Sequence, residues 1–500
     1  MNEGIRQLGA AWRRYQKRYT DLITPEAKYS YANNFHRGYL FGDLDAVAAA
    51  PEEWPRERLG SLAFASSPAL EKVSVSDEQT SCSVLLLGNA FSSEAGLNTS
   101  GSVARYILRT LARKGLNGVD SRIEELGGRF VLVCRDEENC RIFVDPMASL
   151  TAYYAKTDER LAVSSHSALI AAAVGEYDSA EKSWVMQHPG YVSGGGKYLP
   201  GLVFPHDVCL TVFANHSLDV SLKNYSKSQR RVYPRVSLPA LSVEEATDVF
   251  IDETRFHLES WLKRSGQTYL ALTAGRDSRA LLSVGLDLLQ DYEATCMTYH
   301  FFEKNNSSTF KDLQKANQLA EMSNLPFKIV NIPTALTGKG MAKLYNTTFP
   351  TWARFPTLTS AFYHQLVADA NLVIGIGGGI GTGFFRKRED DSITPEVLAR
   401  KFSNSDIQYD SKMLKLMADY AKFTEFSEDK IKGFNFYDLF HWEHRLSKWA
   451  SIGYSEYDLS VSTALPMNSR RMIEAMLSVS EAHQFDKSIY EEIQRRSTIS

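Results

Sequence analysis

The segment Tyr269-Leu-Ala-Leu-Thr-Ala-Gly-Arg-Asp-Ser-Arg279 holds the residues best suited to chemistry. A short apolar run ends in small residues, and a helix-forming run follows at once. Small residues let a backbone approach an anion, and the first N–H groups of a helix point at it. Ser278 can cap that helix or bond a phosphate oxygen. Asp277 is placed to hold a magnesium ion that bridges phosphates. The competing reading is an ordinary strand-to-helix turn in which Asp277 and Ser278 only cap, since short glycine loops are common.

The elements that must position this turn show in the rhythm around it. Glu244–Leu262 has helical spacing, Tyr269–Leu272 is an apolar strand and Ser278–Leu289 is helical. Ala294–Tyr299 and Phe327–Ile332 read as strands on either side of a Thr309–Met322 helix, and Leu372–Ile376 as another strand. Strands alternating with helices predict a parallel sheet covered on both faces. From about Ser392 to the end the chain is mainly helical, with aromatic anchors near Phe434–Trp442. The first part differs. Ser83–Leu87, Arg129–Cys134, Arg141–Asp145, Thr151–Ala155 and Leu161–Ser164 are strands, with helical spacing only from Ser102 to Lys114. Strands this close together favour antiparallel pairing. The polar, basic, proline-containing run from Ser226 to Ser242 reads as a linker, which divides the chain into residues 1–230 and 240–500.

Bulk properties narrow the function. A chain of 500 residues is long for one core, and 44% hydrophobic with 23% charged residues is ordinary globular composition. The formal net charge of −3 argues against a broad nucleic-acid-binding surface. The five cysteines, Cys82, Cys134, Cys140, Cys209 and Cys296, form no CxxC pair and no zinc-type spacing, and read as reduced, buried thiols of a cytoplasmic protein. Charges interrupt the N-terminal stretch where a signal peptide needs an apolar core, and its Ala-Ala-Trp patch reads as a short amphipathic helix. The most apolar run, Asn371–Phe385, is glycine-rich and short of the roughly 20 apolar residues of a membrane span.

Thr273-Ala274-Gly275-Arg276-Asp277-Ser278 resembles the PP-loop of the asparagine synthetase and N-type ATP pyrophosphatase group, Ser-Gly-Gly-x-Asp-Ser. Alanine replaces the first glycine, which is tolerated where the backbone is not left-handed. Further segments resemble the family in the same order. Leu126–Val133, Arg141–Met147, Ala152-Tyr-Tyr154 and Val163–Ser167 are similar to the end of a class II glutamine amidotransferase domain. Lys197-Tyr-Leu-Pro-Gly201 is similar to its closing hairpin, and Trp442–Trp449 and Ala464–Arg470 to the helical region lining the acyl-acceptor pocket. The resemblance implies an α/β fold: an N-terminal antiparallel αββα, Ntn-hydrolase-like sandwich, then a PP-loop (HUP-like) parallel domain with a helical C-terminus. It implies ATP and Mg2+ as cofactors, with cleavage between the α and β phosphates and an acyl-adenylate attacked by an amine. The adenine would pack on Leu272, on Thr298 or Tyr299, and on Ile374-Gly375. Asp277 would hold the metal, Ser278 and the Thr273–Gly275 backbone the pyrophosphate, and Arg276 or Arg279 would offset charge.

Three departures from the family bear on activity. Glutamine-using members carry a cysteine at position 2; this chain has Asn2, and its nearest cysteine is Cys82. Glutaminase chemistry is therefore not expected, as in β-lactam synthetases and lasso-peptide cyclases. The family's acidic glycine loop is here Gly375-Ile-Gly-Gly-Gly-Ile-Gly-Thr-Gly383, with no carboxylate. It reads either as a flexible loop or as a backbone cradle for phosphate, aided by Arg386, Lys387 and Arg388. The chain ends at Ser500, ahead of the usual place of the catalytic lysine, so Lys487 is the nearest candidate and Lys448 the second. Glu443 is placed by the resemblance near the acceptor amine, where a carboxylate could deprotonate it; the alternative is that Glu443 and Arg445 tie helices together. His441 and His444 could share a face, but no third ligand makes a metal site.

The expected function is an ATP-dependent, AMP-forming ligase that activates a carboxylate and joins it to an amine, without glutaminase activity. Its partners would be small-molecule or peptide carboxylates and amines, with neither nucleic acid nor membrane; a homodimer is left open. The alternative is a catalytically degenerate relative that binds a nucleotide or acts as a scaffold.

Overall fold

The computed structural model describes residues 34–176, 179–194, 198–264, 266–303, 307–350, 354–385, 388 and 392–497. The N-terminal amphipathic segment, Asn2, Lys197, Arg386 and Lys387 lie outside the described residues.

Twelve strands make two antiparallel sheets. In chain order they are β1 (Tyr39–Gly42), β2 (Arg56–Leu59), β3 (Leu62–Ser66), β4 (Lys72–Asp77), β5 (Cys82–Phe91), β6 (Gly127–Arg135), β7 (Asn139–Val144), β8 (Tyr153–Ala155), β9 (Ala162–Ser164), β10 (Cys209–Thr211), β11 (His216–Ser221) and β12 (Lys227–Arg231). One sheet runs β10-β8-β9-β1-β3-β2 and the other β12-β11-β7-β6-β5-β4. Alternation along β5 and β6 explains why both faces are apolar. Val84, Leu86, Leu132 and Cys134 cluster with Val103, Ile107 and Leu111 of the Ser100–Ile123 helix. Leu85, Leu87, Val131 and Val133 join Phe41, Phe64 and Val163 of the first sheet. Short helices at Leu44–Val47 and Ser167–Val174 cover that sheet, so the layers are helix, sheet, sheet, helix. All five cysteines are free and buried. Among the described residues no helix is long and apolar enough to cross a membrane.

A third sheet holds β13 (Thr268–Ala271), β14 (Thr295–His300), β15 (Phe327–Asn331), β16 (Asn371–Ile374) and β17 (Ser462–Ala464). Its order is β15-β14-β13-β16-β17 and every pairing is parallel. From β13 the chain adds strands on one side, then crosses back at β16 to the other. In such sheets ligands bind outside the carboxyl ends of the strands where the order reverses, which here falls between the loops after β13 and β16. The Val243–Leu262 helix precedes β13. It opens with a capping box between Ser242 and Glu245 and buries Ala246, Phe250, Leu258 and Trp261 at helical spacing. The Arg276–Asp291 helix that follows β13 bends at Gly285, where a side chain would overlap Leu258 of its neighbour.

The antiparallel and parallel parts are joined by buried polar clasps. Arg129 grips Asp458 through two 2.7 Å hydrogen bonds. Asn468 donates to the Gly128 carbonyl at 2.5 Å and to Asp145 at 2.7 Å. The run read as a linker differs from expectation at its start: Lys227–Arg231 pairs with β11 as an edge strand, because alternate polar side chains suit a half-exposed edge. The segment resembling a closing hairpin forms no strand from Tyr198 to Gly201. Gly201, at φ +50°, instead turns the loop close against the Leu416 carbonyl.

Candidate active site

Beyond β13 the chain turns through Thr273, Ala274 and Gly275 into the Arg276–Asp291 helix. Gly275 is the N-cap and supplies no capping side chain. Ser278 does not cap; its hydroxyl accepts the Thr273 N–H at 3.1 Å, while the Thr273 hydroxyl accepts the Gly275 N–H at 3.0 Å. The two hydroxyls stitch the turn from inside and leave the first helical N–H groups without intrahelical acceptors. Ala274 is absent from the residues with positive φ, so its methyl group meets no left-handed strain. Its N–H donates to Asp312 at 2.9 Å, so a carboxylate already rests against the turn.

The glycine loop after β16 closes on the same turn. A Cβ on Gly375 would lie 2.6 Å from the Asp277 carbonyl carbon and 2.8 Å from the Ser278 nitrogen. On Gly378 it would overlap both the Tyr490 hydroxyl and Asp277 Oδ1. At Gly375 glycine is required because backbone packs on backbone, and at Gly378 because two side chains meet above it. Tyr490, on the Ser488–Arg496 helix, donates its hydroxyl to Asp277 Oδ1 at 2.6 Å, and the Gly378 N–H also donates to this carboxylate. Burial raises the Asp277 pKa, and these two donors oppose the rise. The loop is thus packed: Gly378–Gly381 forms a helical turn. Arg388 pairs with Asp438 at 2.6 Å and Glu481 at 3.1 Å.

A cavity of about 490 Å³ opens over these two loops at the carboxyl end of the sheet. Thr273, Gly275, Arg276, Asp277, Ser278, Ile374, Gly375 and Lys487 all line it. Ala271, Met297, Tyr299 and Leu372 form its sheet face, and Trp449, Tyr454 and Tyr457 face them. Of the positions expected to meet a base, Tyr299, Ile374 and Gly375 line the cavity, whereas Leu272 and Thr298 do not. Leu272 is fully buried and Thr298 is 2% exposed, because side chains alternate along a strand and theirs point to the other face. Ala271 and Tyr299 take the cavity side. Lys487 has φ 63° and ψ 38° at the junction of two short helices.

The helix His441–Ala450 has the wide turn of a π-helix, an arrangement frequent at functional sites. One side of it serves the antiparallel sheets. Glu443 does not reach the cavity: it is fully buried, accepts hydrogen bonds of 2.6 and 2.8 Å from Arg231, and takes a third from Asn215 at 3.1 Å. A carboxylate held by three donors inside a protein joins elements rather than deprotonating an amine. Lys448 is buried too, its ammonium donating to the carbonyls of Pro200, Gly201 and Val203. His444 accepts the Gly201 N–H at 3.0 Å, whereas His441 stacks on Phe384 with ring centres 4.2 Å apart. The histidines therefore serve different surroundings.

Among the described residues no group of three or more His, Cys, Asp or Glu gathers as in an all-protein metal cage. A magnesium ion held with phosphates needs only one or two carboxylates. Asp277 supplies one, already engaged by the Tyr490 hydroxyl and the Gly378 N–H. Sequence reading missed Tyr490, Tyr454 and Asp312, and had Trp449 only as the end of a segment resembling the acceptor-pocket lining. The four-residue interval from Trp449 to Gly453 and Tyr457 was the signal for a helical face, but nothing local distinguished Tyr490 or Asp312.

No family model matches the chain, nor does any curated protein. Among solved structures the chain is similar to glutamine phosphoribosylpyrophosphate amidotransferase from B. subtilis complexed with ADP and GMP. The identity is 9%, over 76% of this chain and 73% of that one, with a TM-score of 0.25. A structure of the allosteric regulatory enzyme of purine biosynthesis is similar at 10% identity, over 79% of this chain and 76% of that one, again with a TM-score of 0.25. Likenesses this loose assign neither a reaction nor a ligand.

Proposed function

We propose that the chain is an ATP-dependent, AMP-forming ligase of asparagine synthetase-like build, which adenylates a carboxylate and passes the acyl group to an amine. The observation that carries this reading is the Thr273–Ser278 turn, which opens a helix at the reversal point of a 3-2-1-4-5 parallel sheet and lines a 490 Å³ cavity. N–H groups at a helix start and the Arg276 guanidinium suit the phosphates of the nucleotide. The Ala271, Met297 and Tyr299 face suits a flat base. Asp277 would hold magnesium, which would neutralise phosphate charge. The substrate carboxylate would attack the α-phosphorus, forming an acyl–O–P bond as the bond to pyrophosphate breaks. Lys487, lining the same cavity, would steady the charge that develops there. The antiparallel sheets, of Ntn-hydrolase-like build, would act as the frame that holds the His441–Ala450 helix.

One observation favours a second reading, a catalytically degenerate nucleotide-binding or scaffold protein: Asp277 Oδ1 is closed off by Tyr490, and the loop after β16 offers no carboxylate beside it. Carboxylate-dependent exchange of labelled pyrophosphate into ATP separates the two. Ligase activity predicts exchange with at least one member of a carboxylate panel and its loss, by 100-fold or more, in Asp277→Ala. Nucleotide binding without exchange would leave the second reading.

A further inference from the structure

Beside the main cavity lies a second, smaller chamber, and the role given to it rests on the adenylation reading of the turn. Arg276, Arg279 and Ser283 follow one face of the helix after β13, and Tyr490 and Gln494 of the Ser488–Arg496 helix stand opposite. The chamber between the helices measures about 160 Å³. Pockets that enclose drug-sized ligands hold roughly 300–1,000 Å³, so this one suits a small ion rather than a nucleotide. Arg276 and Tyr490 line both spaces and form their common wall.

Arg276 and Arg279 sit three apart on a helix, where like charges repel. Among the described residues neither forms an ion pair, and Arg279 donates one long hydrogen bond, from Nε to the Gly275 carbonyl at 3.4 Å. Glu491 also borders the chamber and pairs with neither. Several other arginines are matched: Arg129 by Asp458, Arg231 by Glu443, Arg388 by Asp438, and the more exposed Arg255 by Asp287. Burial, and then the Arg276 charge, lower the Arg279 pKa, a penalty that an anion between the two guanidiniums would relieve. Each guanidinium is a fork that grips a phosphate through paired N–H groups, so two of them fit an anion with two phosphorus centres.

We propose that this chamber is a second position for inorganic pyrophosphate, distinct from the Thr273–Ser278 turn, which takes the ion as it leaves the turn. When the bond between the α-phosphorus and pyrophosphate breaks, the leaving oxygen keeps the electron pair and the ion carries that charge away. Arg276 faces the cavity and the chamber together, and Arg279 draws the ion onward. The transfer separates pyrophosphate from the acyl-adenylate and so opposes the return reaction. Tyr490 stands at the passage between the two spaces.

The test is calorimetric titration of inorganic pyrophosphate into the full chain, with magnesium and saturating α,β-methylene-ATP, and with inorganic phosphate as the one-phosphorus control. One pyrophosphate should still bind per chain, tenfold or more tightly than phosphate. Arg279→Gln should weaken it tenfold or more, and Arg279→Lys should fall between, retaining charge but not the fork. Ser283→Glu, which sets a carboxylate one helical turn from Arg279, should abolish it. No pyrophosphate binding once the nucleotide is bound, equal affinity for phosphate, or binding indifferent to Arg279→Gln would overturn the assignment. If Arg279→Gln does not fold, unchanged affinity in Ser283→Glu overturns it instead. A wild-type protein that takes pyrophosphate through Arg279 but no nucleotide would defeat the adenylation reading and uphold the chamber.

Discussion

At the scale of single residues the site turns on Asp277 and the two groups that hold it. Tyr490 contributes a hydrogen bond to a charged group, an interaction worth roughly 1.5–3 kcal/mol. Tyr490→Phe should therefore slow pyrophosphate exchange by about tenfold or more and lower stability by about 1.5–3 kcal/mol in denaturant titration. Gly378→Ala should do more damage, because its methyl group must displace the Tyr490 hydroxyl from Asp277. Exchange should fall further than in Tyr490→Phe, and near-normal exchange would mean that the contact does not matter. Glu456 gives a pH signature. It is fully buried, accepts the Arg354 and Phe355 N–H groups, and desolvation pushes its carboxyl up to about 7. A raised folded-state pKa favours the folded protein at low pH, and that contribution disappears as pH rises from about 4.5, the ordinary value, through 7. The melting temperature of wild type relative to Glu456→Gln should fall between pH 5 and pH 8, by the equivalent of about 3 kcal/mol at most.

At the scale of elements, the His441–Ala450 helix connects the cavity to the antiparallel sheets. Removing one partner of a buried ion pair leaves the other uncompensated, at a cost of about 3–5 kcal/mol. Glu443→Gln should lower stability by that order, and Glu443→Leu with Arg231→Met should recover much of it; chemical denaturation of the three proteins decides. How the sequence encodes these elements accounts for what could be read from it. The strand into Thr273, the helix out of Ser278 and the paired strands near Leu85 and Leu132 are set by local period, and each lies within four residues of its expected ends. The choice between Thr298 and Tyr299 could not be made from sequence, because both sides of a buried parallel strand are apolar, which removes the alternation that marks the faces. Glu443 and Lys448 were misjudged for another reason. Their partners, Arg231 and the Pro200–Val203 carbonyls, lie more than 200 residues away in the chain.

At the scale of the whole molecule, the antiparallel layers and the parallel sheet meet through charged groups deep in the interior, Arg129 with Asp458 and Arg231 with Glu443. Glu443 lies on the wide-turned helix whose Trp449 lines the cavity together with Tyr299. In the proposed reaction frame and chemistry are separate: the antiparallel sheets would locate, and the two loops and the C-terminal helices would act. Everything functional depends on the turn after β13 accepting phosphate. Calorimetric titration of the full chain with α,β-methylene-ATP and magnesium measures that directly. One nucleotide should bind per chain, with affinity at least tenfold weaker in Ser278→Ala, where the turn loses its internal stitch. No binding at millimolar nucleotide, or binding indifferent to Ser278, would contradict the account.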